Sequence, residues 1–560
     1  MDLTVKIILA CFVILALVVV KMVYDHRRDE RNLERFLKRT WGVPADRDYS
    51  QEQMEAIAAY FEAIRKEGDI DDITWNDLNM DQVYPVLNHT RTSIGEEYLY
   101  ALLRKPIADL EEMQERERLI QCFQDKPEES LRLQKALAAI GKLMQMSVYH
   151  HLQKAHDLPE GKLFQHILAC TAMVAFIPLC LIWPEVMVPF GAILLACNVI
   201  SYYHSKAELD PCIRLFSFVV RIVLQCENVA SVRIVGLEKY QQELMELTKC
   251  FRKFCRGSSL VAGGRRMGGD MLDTLVDYVR MLFHVDLIKI CTMRLEIQKY
   301  QKELFRIYEI IGYMDSMLSV ASYRSMEQDQ YCVPEFVADQ GILLETEQIR
   351  HPLLPDGVTN SLNTCQSVLL TGSNASGKST FLKTVAINAI LAQTVHTVLA
   401  QSYRSSIFQI ASSMALRDNI MEQESYYMVE IKSLKRILDY SQNSTLPVLC
   451  FIDEVLRGTN TVERIASSSQ ILRVLAQQGN LCFAATHDIE LTYLLEKEYV
   501  NYHFAEQITD EDVSFDYRLH TGRTNSRNAI KLLQMLGYDR KVIHAAEDMV
   551  QHFLETGKWQ

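Results

Sequence analysis

One glycine-rich segment combines a lysine and two hydroxyl residues at a spacing that suits phosphate binding. Residues 371–380 read TGSNASGKST and fit the pattern G-x-x-x-x-G-K-[ST]. Gly372 and Gly377 let the backbone curl so that its N–H groups face phosphate oxygens. Lys378 is expected to reach the β- and γ-phosphates of a nucleotide, and the Ser379 hydroxyl is expected to bind Mg²⁺. The predicted binding residues are Gly372, Ser373, Asn374, Ala375, Ser376, Gly377, Lys378, Ser379 and Thr380.

The elements around this segment favour a real site over a glycine-rich turn with an accidental lysine. An apolar run at 368–370 precedes it, as a buried strand would, and apolar residues at helical spacing follow from Phe381 to Ile390. The N-terminus of that helix would add partial positive charge next to the phosphates. The order of strand, loop and helix therefore predicts a nucleotide site that takes ATP with Mg²⁺.

Two later apolar runs end in residues that can act on water and metal. The run 448–452 is followed by Asp453 and Glu454, and the run 481–485 is followed by Thr486 and His487. Asp453 is expected to hold Mg²⁺ together with Ser379, and Glu454 to polarise the attacking water. His487 is expected to sense the γ-phosphate, and Lys378, Glu454 and His487 form the predicted catalytic set. The alternatives are capping acids and a structural histidine.

These residues carry a family resemblance. In order, the chain shows Arg350-His351-Pro352, the glycine-rich segment, Ser425-x-x-Met428-Val429-Glu430, Asp453-Glu454-x-x-Arg457-Gly458-Thr459-x-Thr461 and Ala485-Thr486-His487. In this order and spacing, residues 333–550 resemble the ATPase domain of the MutS mismatch-repair family. A weaker match at 92–106 is similar to the start of that family's helical core and lever domain. An ABC ATPase is the less favoured alternative, since the sequence contains no L-S-G-G-Q element.

The resemblance implies an ATP hydrolase and a fold. The fold class is an α/β P-loop NTPase domain of the ABC/MutS type, C-terminal to an all-α lever and core domain. It also implies a homodimer through the ATPase domains, in which Ser425 completes the partner's nucleotide site and C-terminal helices around 529–549 assist the pairing. Bound ATP and Mg²⁺ are the implied cofactors.

Composition describes a folded protein of several domains. The chain has 560 residues, 49% hydrophobic and 23% charged, which is the balance of a globular protein. Its net charge of −12 argues against a generally basic nucleic-acid binder, although a local basic patch remains compatible. The 14 cysteines include no C-x-x-C pair, so reduced and buried thiols are expected, and a metal site at Cys250 and Cys255 lacks a second ligand pair.

Three apolar runs predict transmembrane helices. Residues 3–24 are nearly all apolar and are followed by a strongly basic flank, so we expect an anchor that leaves the rest of the chain in the cytoplasm. A cleaved signal peptide is the alternative. The runs 163–183 and 186–203, separated by a short turn, predict a transmembrane hairpin; a buried soluble hairpin is the alternative. The predicted location is the cell membrane, multi-pass, with the ATPase domain in the cytoplasm and the lipid bilayer as a partner.

The predicted domains follow from these boundaries. They are an anchor at 1–24, a helical linker at 25–75, the first lever part at 76–162, the hairpin at 163–204, the second lever part at 205–332 and the ATPase domain at 333–560.

Departures from the family pattern leave two functions open. No Phe-x-Glu element precedes the glycine-rich segment, and the hairpin interrupts the lever where the family has a DNA clamp. One reading is a membrane-tethered ATPase of DNA repair or processing with weak DNA binding; the other is a membrane mechanoenzyme or scaffold without a DNA role. The candidate phosphate contacts on DNA are Lys249, Arg252, Lys253, Arg256, Arg265 and Arg266.

Overall fold

The chain forms two compact units that are interleaved in sequence. The computed structural model describes residues 3–45, 47–143, 146–153, 162–258, 270–328, 330–337, 341–373, 376–414, 426–456, 460–477, 479–508, 513–524, 530, 533–534 and 537–558. The first unit contains residues 1–65, 87–101 and 115–326, and the second contains 66–86, 102–114 and 327–560. Two short N-terminal segments, 66–86 and 102–114, therefore group with the unit that holds the glycine-rich loop. The domain boundaries taken from the sequence stay a prediction.

The N-terminal part of the chain is helical throughout. In chain order its helices are α1 (Leu3–Thr40), α2 (Gln51–Ile64), α3 (Asp72–Asp77), α4 (Met80–Leu87), α5 (Ser93–Leu103), α6 (Leu110–Asp125), α7 (Pro127–Ile140), α8 (Val148–Gln153), α9 (Leu163–Ile182), α10 (Pro184–Ser231), α11 (Glu238–Lys249), α12 (Arg252–Cys255), α13 (Asp270–Phe283), α14 (Val285–Lys299) and α15 (Gln301–Glu327).

Helix α15 is the core of the first unit, and two glycines set its distance from α5. A Cβ on Gly95 would lie 2.2 Å from Oδ2 of Asp315, and a Cβ on Gly312 would lie 2.7 Å from Cβ of Tyr98. These distances are shorter than any real Cβ contact, so only glycine allows the two helices to approach this closely.

Two buried carboxylates join the elements around that crossing. Glu97 on α5 accepts hydrogen bonds from the backbone N–H groups of Val148 and Tyr149 and from the Tyr308 hydroxyl. Ser147 donates a further hydrogen bond at 3.3 Å. Burial raises the pKa of Glu97 to about 8, although these donors act in the opposite direction. Asp315 on α15 accepts from the backbone of Arg91 and Thr92, and burial raises its pKa as well.

The second unit is the α/β part of the chain. Its strands and helices are β1 (Glu335–Phe336), β2 (Leu344–Ile349), β3 (Asn360–Thr364), β4 (Ser367–Thr371), α16 (Lys378–Val395), β5 (Ser402–Ser405), β6 (Gln409–Ser413), α17 (Tyr426–Asn443), β7 (Val448–Asp453), α18 (Thr461–Gln477), β8 (Leu481–Ala485), α19 (Ile489–Leu494), β9 (Tyr499–Ile508), β10 (Val513–Thr521) and α20 (Arg540–Thr556).

The strands form two sheets, and the larger one carries the site. Its order is β10-β9-β4-β8-β7-β6, and every neighbouring pair is parallel except β10 with β9. Strands β4 and β8 are buried at every residue, which explains why they appear as continuous apolar runs in the sequence. The smaller sheet has the order β1-β5-β2-β3. The predicted strand, loop and helix around the glycine-rich segment are present as β4 and α16.

The described residues contain one candidate membrane span, whereas the sequence predicts three. Within the described part of the chain, Leu163–Cys180 is long and apolar enough to cross a membrane, with a mean hydropathy of 1.9 and 12% of it buried. The other two predicted runs lie in α1 and α10 and include residues whose side chains are outside the described set. Helix α10 is continuous for 48 residues, so the helix that contains the second run of the predicted hairpin extends beyond 204 to Ser231. Helices α13 and α14 both pack against α9 and α10, so the two predicted runs belong to a larger group of helices than a simple hairpin.

Candidate active site

The predicted site residues come together where three parallel strands end. Leu370 on β4 pairs with Ala485 on β8, and Ala485 pairs with Asp453 on β7. The residues that follow each strand therefore meet at one edge of the sheet, because the carboxyl ends of parallel strands lie together. This edge receives the glycine-rich loop, Glu454 and His487.

The glycine-rich loop has the backbone that its sequence predicts. Gly372 and Gly377 have φ angles of +143° and +103°, in the region that favours glycine. A Cβ on Gly372 would lie 2.8 Å from Oγ of Ser376. The Lys378 ammonium donates to the carbonyl oxygens of Gly372 and Ser373, both at 2.7 Å. The lysine is thus held inside the loop, where it can meet the phosphates of a nucleotide.

A hydroxyl and a carboxylate converge beside the start of α16. The Ser379 hydroxyl donates to Oδ2 of Asp453 over 2.5 Å. Hard oxygen ligands of this kind suit Mg²⁺, which keeps several waters and uses substrate phosphates for its remaining positions. Among the described residues, no group of three or more His, Cys, Asp or Glu side chains converges to hold a metal. The donor set therefore fits Mg²⁺ brought with a nucleotide better than a permanently bound metal.

Glu454 and His487 form a pair next to these ligands. Nε2 of His487 lies 2.9 Å from Oε1 of Glu454, with side chains 38% and 17% exposed. The Glu454 backbone has a φ of +60°, which is strained for a residue with a Cβ, and its N–H donates to the carbonyl of Ala485. A carboxylate held this way, partly accessible to solvent and oriented by an imidazole, can accept a proton from water.

Tyr517 is a site residue that the sequence reasoning missed. The pairing of β10 with β9 shifts register between Phe515 and Leu519, and Tyr517 in this bulge has a φ of +53°. Its Cδ1 lies 3.2 Å from the position of a Cβ on Gly377. The Asn360 amide holds the bulge, donating to the Tyr517 carbonyl and accepting from the Leu519 N–H. An aromatic ring is thereby placed over the glycine-rich loop, 45% exposed.

Other residues of the sequence motifs have structural contacts. Arg350 forms an ion pair with Glu327, and its carbonyl accepts from Asn388. Burial lowers the pKa of His351 to about 4. Glu430 accepts from the backbone N–H of Leu456, close to the turn that carries Glu454. Ser376 donates to the carbonyl of Ser373, and Thr380 lies in the first turn of α16.

Several predicted residues lie outside the part of the chain that the structure describes. They are Asn374, Ala375, Ser425, Arg457, Gly458, Thr459, Arg265 and Arg266.

Comparison with known proteins agrees with this geometry. Residues 368–554 match the family model described as MutS domain V. The chain is 27% identical over 280 residues to DNA mismatch repair protein MutS of Protochlamydia amoebophila, an alignment covering 47% of this chain and 32% of that protein. It is 29% identical over 282 residues to the MutS protein of Carboxydothermus hydrogenoformans, covering 48% and 33%. It is 27% identical over 305 residues to DNA mismatch repair protein MSH3 of Candida albicans, covering 49% and 29%.

These matches support a relationship with the MutS family over about half of this chain, and they identify a P-loop α/β region of the MutS domain V type. The aligned part spans only about a third of the length of these relatives.

Proposed function

We propose that this protein is a MutS-type ATPase anchored to a membrane, which hydrolyses ATP with Mg²⁺ in DNA repair or processing. The observation that carries the ATPase proposal is the Glu454–His487 pair beside Ser379 and Asp453, at the edge that also receives the glycine-rich loop. The matched family region covers all of these residues.

Each residue has a distinct role in the proposed reaction. Backbone N–H groups of the loop and the Lys378 ammonium bind the phosphates. Ser379 and Asp453 would hold Mg²⁺, which neutralises charge that develops on the transferred phosphoryl group. Glu454 orients the attacking water and takes its proton, and His487 holds the Glu454 carboxylate in position. The exposed ring of Tyr517 offers a surface on which the nucleotide base can stack.

Two substitutions separate binding from hydrolysis. Lys378→Ala should abolish tight nucleotide binding because the phosphates lose their main cation. Glu454→Gln should keep ADP and ATP binding and lower kcat by about 10²–10⁴, the usual range for loss of a general base. Glu490→Gln, an exposed acid in the nearby helix α19, is the matched control and should hydrolyse ATP at the wild-type rate. Equal rates in wild type and Glu454→Gln would refute the assignment.

The proposed assembly is a homodimer in which Ser425 acts on the partner's nucleotide. A mixture of Lys378→Ala and Ser425→Ala subunits tests it. In the mixed dimer both defects fall in one site and the other site stays intact, so ATP hydrolysis should return above the rate of either variant alone. If mixing restores nothing, Ser425 does not act across the dimer.

The membrane proposal rests on the exposed apolar helix at 163–180 and on the basic flank that follows residue 24. Single cysteines placed at Glu185, Glu55 and Asp439 test the topology in intact cells. A membrane-impermeant thiol reagent should label the Glu185→Cys variant above the wild-type background and should not label the other two. Glu55 is exposed and the Asp439 side chain is 44% exposed, so labelling of either position from outside would contradict the cytoplasmic placement.

Weak DNA binding is the proposed partner interaction. Lys249, Arg252, Lys253 and Arg256 are all exposed near the end of α11 and along α12. A handful of phosphate contacts supports nonspecific binding with Kd of about 10⁻⁴–10⁻⁶ M at physiological salt. We expect salt-sensitive binding with less than about tenfold preference for mismatched duplex, or about 1.4 kcal/mol. Nanomolar, mismatch-selective binding would contradict this, and no binding at low salt would favour the alternative of a membrane mechanoenzyme or scaffold.

A further inference from the structure

The free edge of the larger sheet is closed by side chains from a segment far away in the sequence. Among the residues that the structure describes, strand β6 is the last strand of the sheet, and no strand lies along its outer side. The backbone N–H of Ser412 donates to Oγ1 of Thr74 over 3.1 Å, and the N–H of Met414 donates to Oδ2 of Asp77 over 2.8 Å. Alternate N–H groups of a strand point to the same side, so Thr74 and Asp77 take the place of a partner strand.

Further bonds fix the same short helix, α3, to this edge. The Ser412 hydroxyl also donates to Oδ2 of Asp77, at 2.8 Å, and Asp77 is 3% exposed. At the other end of α3, Asp71 forms an ion pair with Arg436 of α17, and the Tyr440 hydroxyl donates to it. The Arg436 guanidinium in turn donates to the carbonyl of Ser412. Helix α3 is therefore bonded both to the end of β6 and to α17.

Helix α3 is itself held firmly within the second unit. Trp75 is buried, its indole N–H donates to Asp81, and the Arg104 guanidinium lies over its ring at 4.5 Å. The Ile70 N–H donates to the Arg104 carbonyl. These contacts make α3 a fixed support rather than a loose surface turn.

The end of β6 that α3 contacts lies at the same edge of the sheet as the candidate nucleotide site. Ser413 pairs with Ile452, so Met414 follows at the level of Asp453 on the neighbouring strand. Strands are about 4.8 Å apart, so the position of the β6 end influences the place of Asp453. Residues 71–77 lie outside the matched region 368–554.

We propose that Asp77 is a positioning residue for ATP hydrolysis, acting with Thr74 through the end of β6. The inference rests on the proposed ATPase function. Asp77 does not touch the nucleotide; it fixes the backbone beside the Asp453 ligand. Loss of this support should impair the arrangement needed for hydrolysis, while nucleotide binding by the glycine-rich loop on β4 remains.

Four variants of the full chain in detergent test the proposal. Asp77→Ala removes the acceptor for Ser412 and Met414, whereas Asp77→Asn keeps an oxygen that can accept from both. Thr74→Val removes the second acceptor at nearly constant volume. Asn76→Ala changes an exposed residue of the same helix and is the control. The measurements are kcat and KM for ATP, Kd for ADP, and amide hydrogen exchange of residues 409–414.

Asp77→Ala should lower kcat at least tenfold while Kd for ADP stays within threefold of wild type. Asp77→Asn should recover most of the lost kcat. In Thr74→Val kcat should fall about threefold, and in Asn76→Ala it should equal that of wild type. Exchange at Ser412 or Met414 should quicken at least tenfold in Thr74→Val and Asp77→Ala. If Asp77→Ala does not fold, the kcat and the amide hydrogen exchange of Thr74→Val test the proposal instead.

Three results would overturn the proposal. They are wild-type kcat in Asp77→Ala, parallel loss of kcat and ADP affinity as in general unfolding, and unchanged exchange at the β6 end. Failure of the proposed function looks different, because the wild-type protein itself would then not hydrolyse ATP.

Discussion

Two groups of carboxylates in this molecule differ in burial and in hydrogen bonding. Glu97 in the first unit is fully buried, and its oxygens accept from two backbone N–H groups and two hydroxyls. Asp453 and Glu454 in the second unit lie at the end of a strand, where Asp453 accepts from the Ser379 hydroxyl and Glu454 pairs with His487.

These surroundings decide which of the carboxylates can take part in catalysis. A carboxylate surrounded by protein donors has no room for a metal or a water, and it serves to join the elements that supply the donors. A carboxylate that lies at a sheet edge and is only partly buried retains the capacity to bind Mg²⁺ or accept a proton. The comparison therefore predicts that substitutions in the two places have separate effects, on stability in one and on catalysis in the other.

The largest effect is expected from Glu97→Ala. It leaves the N–H groups of Val148 and Tyr149 and the Tyr308 hydroxyl buried without their acceptor. Each such loss costs about 1–3 kcal/mol, so we expect a total of at least about 3 kcal/mol. Denaturant unfolding measures this loss. The control is Glu55→Ala, at an exposed acid on α2, and its free energy of unfolding should stay within about 0.5 kcal/mol of wild type. A loss below 1 kcal/mol would show that Glu97 does not join these elements.

Asp453→Asn should lower the rate of ATP hydrolysis and leave the stability of the protein unchanged. We expect the rate of Mg²⁺-dependent hydrolysis to fall at least about a hundredfold, or about 2.7 kcal/mol, because the amide is a poorer ligand for Mg²⁺. The unfolding midpoint should stay near that of wild type. Asp439→Asn, at an acid on α17 whose side chain is 44% exposed, should change neither quantity. A variant that loses stability but keeps its rate would break the distinction between the two kinds of carboxylate.

The pH dependence of stability provides a second test of the buried carboxylate Glu97. Because burial raises the pKa of Glu97 from 4.5 to about 8, the folded state holds a proton that the unfolded state releases between these values. The contribution of Glu97 to stability is therefore greatest below about pH 4.5 and decreases as pH rises to about 8. The decrease is at most about 1.4 kcal/mol per pH unit. Glu97→Gln should flatten the difference between pH 5.5 and 7.5; an unchanged slope would mean that the carboxylate is ionised throughout.

Tyr517→Ala should have the smallest effect. Base–aromatic stacking contributes about 1–3 kcal/mol, and the 45% exposure of this ring places the expected loss near the lower end. We expect ADP affinity to fall about five- to tenfold, with kcat at saturating ATP little changed. Tyr517→Phe keeps the ring and should bind ADP as wild type does. If Tyr517→Ala binds ADP as tightly as wild type does, Tyr517 does not contact the nucleotide.

The sequence predicted the local part of the site well. The glycine-rich loop is contiguous, and Asp453 and His487 each follow an apolar run that becomes a buried parallel strand. Local pattern is sufficient there, because parallel strands place their carboxyl ends together whatever their order. The metal pair Ser379 and Asp453 and the pairing of Glu454 with His487 follow from that placement.

The sequence did not reveal the parts that depend on distant contacts. Helix α3 is six residues long, too short for a periodic pattern, and its partners Ser412 and Arg436 are more than 300 residues away. Tyr517 reaches the loop through a bulge, and alternation alone would have placed its ring differently. Hydropathy located the apolar runs but not the end of α10, since a helix continues through polar residues when neighbouring helices cover it.

The interleaving of the two units limits how this gene can be divided. The backbone passes from one unit to the other at residues 65/66, 86/87, 101/102, 114/115 and 326/327. A fragment that starts at 333, where the sequence predicts the start of the ATPase domain, lacks α3 and leaves the outer N–H groups of β6 open to other strands. Such an edge invites aggregation. Soluble expression of the ATPase region alone therefore calls for grafting 66–86 onto the fragment, and recombination between related genes at a single point would separate parts that fold together.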